Sequence, residues 1–393
     1  MLPSFQDLEL PKAAKIATLK TWCKINSGSN NLAGLDKMRT LISKAFAHLS
    51  DTIETVNFPP INTQQIAPGL LISKRKNCQQ RVLLVGHMDT VYPFDSDFQQ
   101  LRLIDKNTLN GPGVADMKGG ILVMLTALEA FEKWQISKNL GWDVFINTDE
   151  EIGSLASSPY LTKLSKKAQV ALVFEPALNE KGDLARSRPG SGHFTLLAHG
   201  VSAHAGRDFH KGRNAILLLA RALLEINLLQ NNHPGLTINP GLIKGGTALN
   251  QVPDLASSAI EIRLSEQNDV VYIQQALQSI AKKLSKDGLK LEIKGHFHRP
   301  IKIISKATEL LFAKTQELAK LLNLDLNWQN TGGCCDGNQL AQHVAVLDTL
   351  GVRGGKIHTH DEYICLDSIV ERSKITALLL YDLALNGTDG YSL

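Results

Sequence analysis

The sequence lacks the features that mark secreted, membrane-spanning or nucleic-acid-binding proteins. Its five cysteines are odd in number and have no Cys-x-x-Cys spacing, which argues against a disulfide framework and a thiolate zinc site. No apolar run reaches the roughly 20 residues of a spanning helix, and no apolar segment follows a basic start at the N-terminus. The net charge is only +4, without a Lys/Arg block. We therefore expect a soluble, cytoplasmic protein without membrane or nucleic-acid partners.

The length and the first half of the chain indicate an α/β protein with more than one domain. A chain of 393 residues, 43% hydrophobic and 20% charged, exceeds the usual size of a single core. Apolar runs alternate with helical patterns. The predicted strands are 81–86, 142–148 and 170–174, and the predicted helices are 36–49, opened by Asp36, and 118–134. This order predicts a mostly parallel sheet covered by helices.

The middle of the chain has a different pattern. Strands are predicted at 193–200, 236–243, 255–264 and 289–295, and helices near 211–229 and 269–285. The order βαββαβ is that of a ferredoxin-like unit. We therefore predict a catalytic domain in two parts, 1–187 and 299–393, with an inserted ferredoxin-like domain, 188–298, that serves as a lid and in dimerisation.

The α/β pattern resumes after Pro300. A helix is predicted over KATELLFAKTQELAKLLN and a strand over 345–348. Asp367 and Ser368 are expected to cap a final helix that runs to about residue 386. The last residues, 386–393, are expected to form a loose tail.

Acidic and histidine side chains follow the predicted strands. His87 and Asp89 follow the first, Asp149, Glu150 and Glu151 the second, and Glu175 the third; Asp116 and His358 lie in Gly-rich loops. The carboxyl ends of strands line the ligand crevice of open α/β sheets. Taken singly, each residue has a structural alternative, because a lone His is more often structural and a lone Asp among glycines usually serves a turn.

As a set, these residues match the needs of a two-metal site. Imidazole and carboxylate are good zinc ligands, and a bridging carboxylate joins two metals. Competing signatures are absent from the sequence: there is no His-Glu-x-x-His helix, no Gly-x-Ser-x-Gly turn and no complete phosphate-binding loop.

The motifs resemble, in order, those of one metallopeptidase family, which includes glutamate carboxypeptidase, acetylornithine deacetylase, succinyl-diaminopimelate desuccinylase and aminoacylase. The matching segments are VLLVGHMDTVYP, LNGPGVADMKGG, NTDEEIGS, VFEPA, SAHAG, GGTALNQVP and IHTHDEY. They extend over most of the chain, and the resemblance is greatest to the glutamate carboxypeptidase-like members.

The resemblance implies a role for each residue at the metal site. Asp116 bridges two zinc ions per subunit, for which Co²⁺ or Mn²⁺ can substitute. His87 and Glu175 complete one site, and Glu151 and His358 complete the other. Asp89 orients the imidazole of His87, and Glu150 is the general acid and base. His360 is an alternative to His358, which is preferred for its spacing to Glu362-Tyr363.

Residues of the inserted domain and of the segment after it are assigned to the substrate. By the same resemblance, His204 polarises the scissile carbonyl, often from the neighbouring subunit. Asn250 contacts the substrate, and Arg263 and Arg299 grip a carboxylate. Gly332 and Gly333 allow substrate to approach the backbone closely. For the two arginines the alternative is a surface ion pair. The adjacent Cys334-Cys335 departs from the small residues of the family loop.

These assignments predict a di-zinc homodimeric hydrolase that cleaves an amide bond next to a free carboxylate. Glu175 in place of Asp accompanies carboxypeptidases and deacylases in the family, so a carboxypeptidase that releases a C-terminal amino acid such as glutamate is favoured. The alternatives are an N-acyl amino acid deacylase or desuccinylase of the acetylornithine deacetylase type, and a non-catalytic binding protein on the same scaffold.

Overall fold

The computed structural model describes residues 10–393, and its elements follow the apolar periodicity of the sequence. The described α-helices are α1 Lys12–Cys23, α2 Leu32–Phe46, α3 Gly120–Phe131, α4 Ser158–Ser165, α5 Ala215–Leu228, α6 Gln267–Leu284, α7 Lys306–Lys320, α8 Gly337–Leu340 and α9 Asp367–Asn386. Shorter helical turns are Gln135–Asn139, Glu150–Ile152, Phe209–Lys211, Leu229–Asn232 and Asp389–Tyr391. The segment Val114–Gly119 before α3 is irregular, with non-helical backbone angles at Asp116 and Met117.

The described strands are β1 Thr52–Val56, β2 Gly69–Lys74, β3 Arg81–His87, β4 Arg102–Leu103, β5 Thr108–Asn110, β6 Gly141–Asn147, β7 Val170–Val173, β8 Leu184–Ala185, β9 Gly190–His199, β10 Ala203–His204, β11 Thr237–Gly245, β12 Gln251–Val252, β13 Leu255–Leu264, β14 Lys290–Arg299, β15 Trp328–Gln329, β16 Ala345–Leu347, β17 Gly354–Gly355 and β18 Tyr363–Cys365.

The chain divides into two compact units. The first comprises the described residues up to Ser187 together with Ile303–Thr331 and Cys335–Leu393, and the second comprises Arg188–Lys302 and Gly332–Cys334. The use of the second unit as a lid and in dimerisation stays a prediction.

A six-stranded sheet forms the centre of the first unit, in the order β1-β2-β6-β3-β7-β16. The pairs β6-β3, β3-β7 and β7-β16 are parallel, and β1-β2 and β2-β6 are antiparallel. Every residue of β3 is buried, as expected of a continuous apolar run covered on both faces. Helix α3 is apolar over nearly its whole surface and packs against α9. The predicted helix-covered, mostly parallel sheet is confirmed.

The second unit is an antiparallel sheet with two helices. Its four strands lie in the order β11-β13-β9-β14, and α5 and α6 pack against the sheet. Burial alternates along β13, so one face contributes to an apolar core that includes Ile260 and Ile262. The chain order βαββαβ confirms the ferredoxin-like prediction.

Several predicted boundaries were wrong for local reasons. Helix α2 starts at Leu32, not at Asp36, because the Asn31 side chain accepts a hydrogen bond from the Gly34 amide. Asp367 is the first residue of α9 and not its cap, since Leu366 holds that position without a side-chain bond. The end of the chain is no loose tail: Thr388 is fully buried, and Tyr391 packs against the core.

Two further expectations concern the cysteines and the membrane. All five cysteines are free thiols, and of the adjacent pair Cys335 is buried and Cys334 is half-buried. Among residues 10–393, no helix has both the length and the apolar character needed to cross a bilayer. The cytoplasmic location stays a prediction.

Candidate metal centre

Three neighbouring parallel strands bring polar side chains to one edge of the central sheet. His87 is the last residue of β3, Glu150 and Glu151 follow β6 closely, and Glu175 comes two residues after β7. Because these strands are adjacent and parallel, their carboxyl ends share one edge. The spacing of residues far apart in sequence is therefore fixed by backbone pairing.

Asp116 lies between two imidazoles. Its Oδ1 is 3.1 Å from Nε2 of His87, and its Oδ2 is 3.2 Å from Nε2 of His358. The Asp116 residue is only 6% exposed. A carboxylate that presents one oxygen to each of two imidazoles has the arrangement that a bridge between two cations needs.

Two more carboxylates face the same imidazoles. Oε2 of Glu151 is 3.3 Å from Nε2 of His358, and Oε1 of Glu175 is 3.7 Å from Nε2 of His87. Two groups of side chains have ligand atoms that all lie within 4.8 Å of one another: His87, Glu150 and Glu175, and His87, Asp116 and Glu151.

The charges of the cluster are mutually dependent. Burial, and then the charge of Asp116, raise the pKa of Glu151 to about 8. Hydrogen bonds with Asp116 and Glu151 raise the pKa of His358 to about 10. Burial opposes ionisation of Asp116, but hydrogen bonds from His358 and His87 hold the pKa of that carboxyl well below its usual range. Without a cation, the cluster therefore retains protons at neutral pH.

The residues fit a pair of divalent metal ions. Oε1 of Glu151 is buried and has no hydrogen-bond partner among the described residues, so a cation would satisfy it. The donors are imidazole nitrogens and carboxylate oxygens, a set that suits zinc and also other first-row divalent ions.

Asp89 connects three residues of the cluster. Nδ1 of His87 is 3.0 Å from the backbone oxygen of Asp89 and 3.4 Å from its Oδ1. The Asp89 carboxylate also accepts hydrogen bonds from the backbone amides of Glu150 and Glu151, at 3.3 and 3.2 Å, and from the Ser29 hydroxyl at 2.8 Å. Asp89 thus fixes the ring of His87 and the chain after β6 together.

Asp149, the first of the three consecutive acids, has a different environment from Glu150 and Glu151. Oδ2 of Asp149 accepts hydrogen bonds from the backbone amides of Ala156 and Ser157, at 2.8 and 3.1 Å. Asp149 is fully buried, and that burial raises its pKa. It holds the loop after β6 in place and belongs to neither metal-ligand group.

Glu362 organises the loop that carries Asp116, a role that the sequence reasoning missed. Its carboxylate accepts hydrogen bonds from the backbone amides of Gly113, Ala115 and Asp116, at 3.2, 2.8 and 3.0 Å. The Tyr92 hydroxyl donates to the same carboxylate at 2.7 Å. Glu362 is fully buried. The only signal in the sequence was its place in the segment IHTHDEY, where it served to align His358.

His360 is placed outside the cluster. Its ring stacks on that of Phe98, with centroids 5.3 Å apart, and neither it nor His358 is a member of the two metal-ligand groups. His358, with Nε2 close to both Asp116 and Glu151, is therefore the better ligand candidate of the two.

In the second unit, His204 is the end of β10 and is exposed. Its Nδ1 accepts hydrogen bonds from the backbone amides of Gly206 and Arg207, both at 3.1 Å. A neutral imidazole with Nδ1 as acceptor carries its proton on Nε2. Asn250 is also exposed, and its backbone oxygen accepts from the Ala205 amide at 2.9 Å, which ties the loops of these two residues together.

The two predicted carboxylate-binding arginines differ. Arg263 on β13 forms an ion pair with Glu261 at 3.0 Å and donates from Nη1 to the Gly332 backbone oxygen at 2.8 Å. Arg299 ends β14 and is only 7% exposed.

The two predicted glycines have open space beside them. A Cβ at Gly332 would meet no atom within 4 Å, so protein packing does not require glycine there. At Gly333 the nearest atom would be Nη1 of Arg188, at 3.7 Å.

The adjacent cysteines point to different partners. The Cys334 thiol donates to the Pro189 backbone oxygen at 3.1 Å, and Sγ of Cys335 is 3.3 Å from Oδ2 of Asp348. Neither cysteine belongs to a metal-ligand group among the described residues.

The His, Asp and Glu cluster at the sheet edge has the donors of a metal-dependent hydrolase. The chain belongs to peptidase family M20/M25/M40, whose family model matches residues 83–382. The enzyme class predicted from the motifs is therefore confirmed.

Relatives agree with this membership, and a solved structure shows the same fold. Carboxypeptidase G2 of Pseudomonas sp. (strain RS-16) is 25% identical over 397 residues, which cover 96% of this chain and 91% of the relative. Succinyl-diaminopimelate desuccinylase of Hahella chejuensis (strain KCTC 2396) is 26% identical, covering 87% of this chain and 92% of the relative. A tripeptidase from Staphylococcus aureus has a similar fold, with a TM-score of 0.79, 21% identity and coverage of 96% of this chain and 99% of that chain.

Proposed function

We propose that the chain is a di-zinc hydrolase that cleaves an amide bond next to a free carboxylate and releases a C-terminal amino acid, such as glutamate, from a peptide or an N-acyl amino acid. The observation that carries the proposal is Asp116, with one oxygen at 3.1 Å from His87 and the other at 3.2 Å from His358. Near full-length similarity to a relative named as a carboxypeptidase supports the choice of bond.

The metal-holding residues are assigned from the family resemblance, and the contacts of His358 with Asp116 and Glu151 support its place among them. His87 and Glu175 would hold one ion, Glu151 and His358 would hold the other, and Asp116 would be shared by both. Zinc at such a site lowers the pKa of water from about 15.7 towards about 7 and polarises a carbonyl. Co²⁺ and Mn²⁺ accept the same nitrogen and oxygen donors and are the expected substitutes.

Glu150 acts as the general acid and base. Its carboxylate lies in the same group as His87 and Glu175, and the residue is only 9% exposed. The hydrogen bond from its backbone amide to Asp89 fixes its place beside the metal ligands. Glu150 accepts a proton from the attacking water and then delivers it to the leaving amine.

His204 donates from Nε2 to the carbonyl oxygen as negative charge develops there. The two backbone amides on its Nδ1 favour the tautomer that this donation needs. Turnover of a His204→Ala variant should fall with zinc content unchanged, because His204 is no metal ligand in this proposal. Unchanged turnover would remove His204 from the site.

The free carboxylate of the substrate is bound by arginine. Arg299 is the stronger candidate, because a buried guanidinium is well suited to two parallel bonds with a carboxylate. For Arg263, the ion pair with Glu261 supports the alternative of a structural surface pair. Asn250 and the backbone of Gly332 and Gly333 complete the proposed substrate contacts.

A second candidate function is an N-acyl amino acid deacylase or desuccinylase. The similarity to a relative named succinyl-diaminopimelate desuccinylase favours it, and the same metal centre serves either reaction. A non-catalytic binding protein is a third candidate. The presence of all five metal-ligand residues and of Glu150 in one cluster argues against it.

A substrate panel separates these functions. Purified protein is assayed with acyl-glutamates, short peptides, acetylornithine and N-succinyl-diaminopimelate, each with and without added zinc. A carboxypeptidase hydrolyses the first two groups in a zinc-dependent manner. Preference for the last two compounds supports the deacylase, and zinc binding without hydrolysis of any compound supports the non-catalytic protein.

We also propose a homodimer formed through the second unit. Strand β11 is an edge strand of its sheet, and Leu242 and Ile243 on it are 67% and 66% exposed. Leu224 and Leu228 on helix α5 of the same unit are 68% and 59% exposed. Exposed apolar side chains beside an edge strand are a suitable surface for an identical copy.

A further inference from the structure

The first unit contains a cavity that the proposed reaction does not use. Its volume is about 180 Å³, and its walls come from α9 and from the loops that follow β7, α7 and β16. Three cationic side chains line it, Lys181, Arg353 and Arg372, with Asp325 and Glu371 as the acidic ones.

Arg372 is a buried cation with little compensation. It is only 1% exposed, and its guanidinium has five N–H donors. A single hydrogen bond is formed, from Nη2 to the Gly182 backbone oxygen, and Nε has no partner among the described residues. Burial lowers the pKa of Arg372 to about 10. An ionised group in such surroundings is costly unless a counter-charge is supplied.

The acids near Arg372 compensate its charge only in part, because neither contacts the guanidinium. Glu371 and Asp183 act on it through space, but neither forms an ion pair with Arg372 in the described part of the chain. Glu371 is paired with Nη2 of Arg353 at 2.9 Å, and Oδ2 of Asp183 accepts from Nδ2 of Asn179 at 2.8 Å.

We propose that this cavity is a binding site for a small oxyanion, a carboxylate or a phosphate, held by Arg372. A guanidinium fork matches the oxygens of both groups. Lys181, which is exposed and lines the cavity, adds a second positive charge. A cavity of about 180 Å³ has room for such an ion, since an engineered cavity of about 150 Å³ admits benzene.

The zinc-loaded enzyme and its variants provide the test. Thermal unfolding and calorimetric titration are run with phosphate and, separately, with acetate, against chloride at equal ionic strength. The wild-type protein should give a saturable response to at least one oxyanion. Lys181→Ala should weaken binding roughly fivefold, the upper value for one exposed pair. Lys167 is an exposed lysine outside the cavity, so Lys167→Ala should leave oxyanion binding unchanged.

Arg372→Met distinguishes a binding residue from a structural one. If Arg372 holds the oxyanion, this variant loses the response, and without the anion it unfolds at the same or a higher temperature. A response that persists in Arg372→Met and Lys181→Ala comes from the metal centre and overturns the proposal, as does the absence of any saturable response in the wild type. If Arg372→Met does not fold, the Lys181→Ala variant tests the proposal: weaker oxyanion binding supports it, and unchanged binding contradicts it. If only acetate gives a saturable response, the bound oxyanion is a carboxylate. If only phosphate does, it is a phosphate.

Discussion

At the residue scale, three consecutive acids have three different tasks. Asp149 accepts backbone hydrogen bonds, Glu151 faces His358, and Glu150 is grouped with His87 and Glu175. Three consecutive acids after a buried strand repel one another unless a cation or a basic neighbour compensates their charge. The sequence cannot show which of them turns towards the cation, because that depends on the turn after β6.

Replacement of the proposed proton carrier should separate catalysis from metal binding. Glu150→Gln keeps the shape of the side chain but cannot accept a proton, so kcat should fall about a hundred- to ten-thousand-fold while zinc content stays at the wild-type value. Kinetics and metal analysis provide the two readouts. Glu317→Gln, on the exposed face of α7, is the matched control. Wild-type turnover in Glu150→Gln would exclude the role.

Metal binding should release protons. The pKa of Glu151 is raised to about 8 in the metal-free protein, so its carboxyl is mostly protonated at pH 7 and must lose that proton to bind a cation. Zinc affinity should therefore rise from pH 6 to pH 8, by about tenfold per pH unit for each proton released. Calorimetry in buffers of different ionisation enthalpy counts the protons. Affinity that is independent of both pH and buffer would contradict the assignment.

At the scale of elements, two loops are fixed by one side chain. Glu362 binds three backbone amides of the loop that carries Asp116, and Tyr92 donates to it. This coupling joins a segment before α3 to one before α9, which no local pattern in the sequence reveals.

Loss of this connection should weaken the metal site indirectly. Glu362→Gln replaces one acceptor oxygen with an amide group that cannot accept, so we expect the free energy of unfolding to fall by about 1–3 kcal/mol and zinc to be retained less well on dialysis. Denaturant unfolding and metal analysis measure both. Tyr92→Phe leaves the backbone amides with their acceptors, so it should lower the free energy of unfolding by less than Glu362→Gln does. Equal zinc retention in Glu362→Gln and the wild type would assign Glu362 to stability alone.

Elements with a strong period were predictable, and those set by capping or pairing were not. The buried run at 81–86 predicted β3, and its end placed His87 correctly at the sheet edge. The start of α2 was wrong because Asn31, and not Asp36, caps it. The antiparallel strands β1 and β2 were not predicted, since their burial is mixed and pairing with β6 decides their place.

At the scale of the whole molecule, we expect a dimer that depends on the second unit. A charge in the exposed apolar surface opposes burial, so Leu242→Glu combined with Leu224→Glu should convert a dimer into a monomer. Light scattering after gel filtration measures the mass. Leu310→Glu, at a 49% exposed position of the first unit, is the control. A wild-type protein that is monomeric at all concentrations would contradict the dimer and any action of His204 across subunits.

The folds of the two units were predictable from the sequence, but the contacts of the proposed substrate residues were not. The change from an alternating α/β pattern to βαββαβ identified the second fold, and the motifs in the first unit predicted which residues hold metal. In the proposed site, Arg299 and Arg263 bind the carboxylate of the substrate. The ion pair between Arg263 and Glu261 could not be predicted from the spacing of the arginines.

The bridging role of Asp116 is tested most directly by a crystal structure of the zinc-loaded protein, with anomalous diffraction recorded on both sides of the zinc absorption edge. We predict two zinc peaks, each about 2.0–2.2 Å from a different carboxylate oxygen of Asp116, one near His87 and the other near His358. A single peak, or two peaks of which only one contacts Asp116, would contradict a bridged pair of metals.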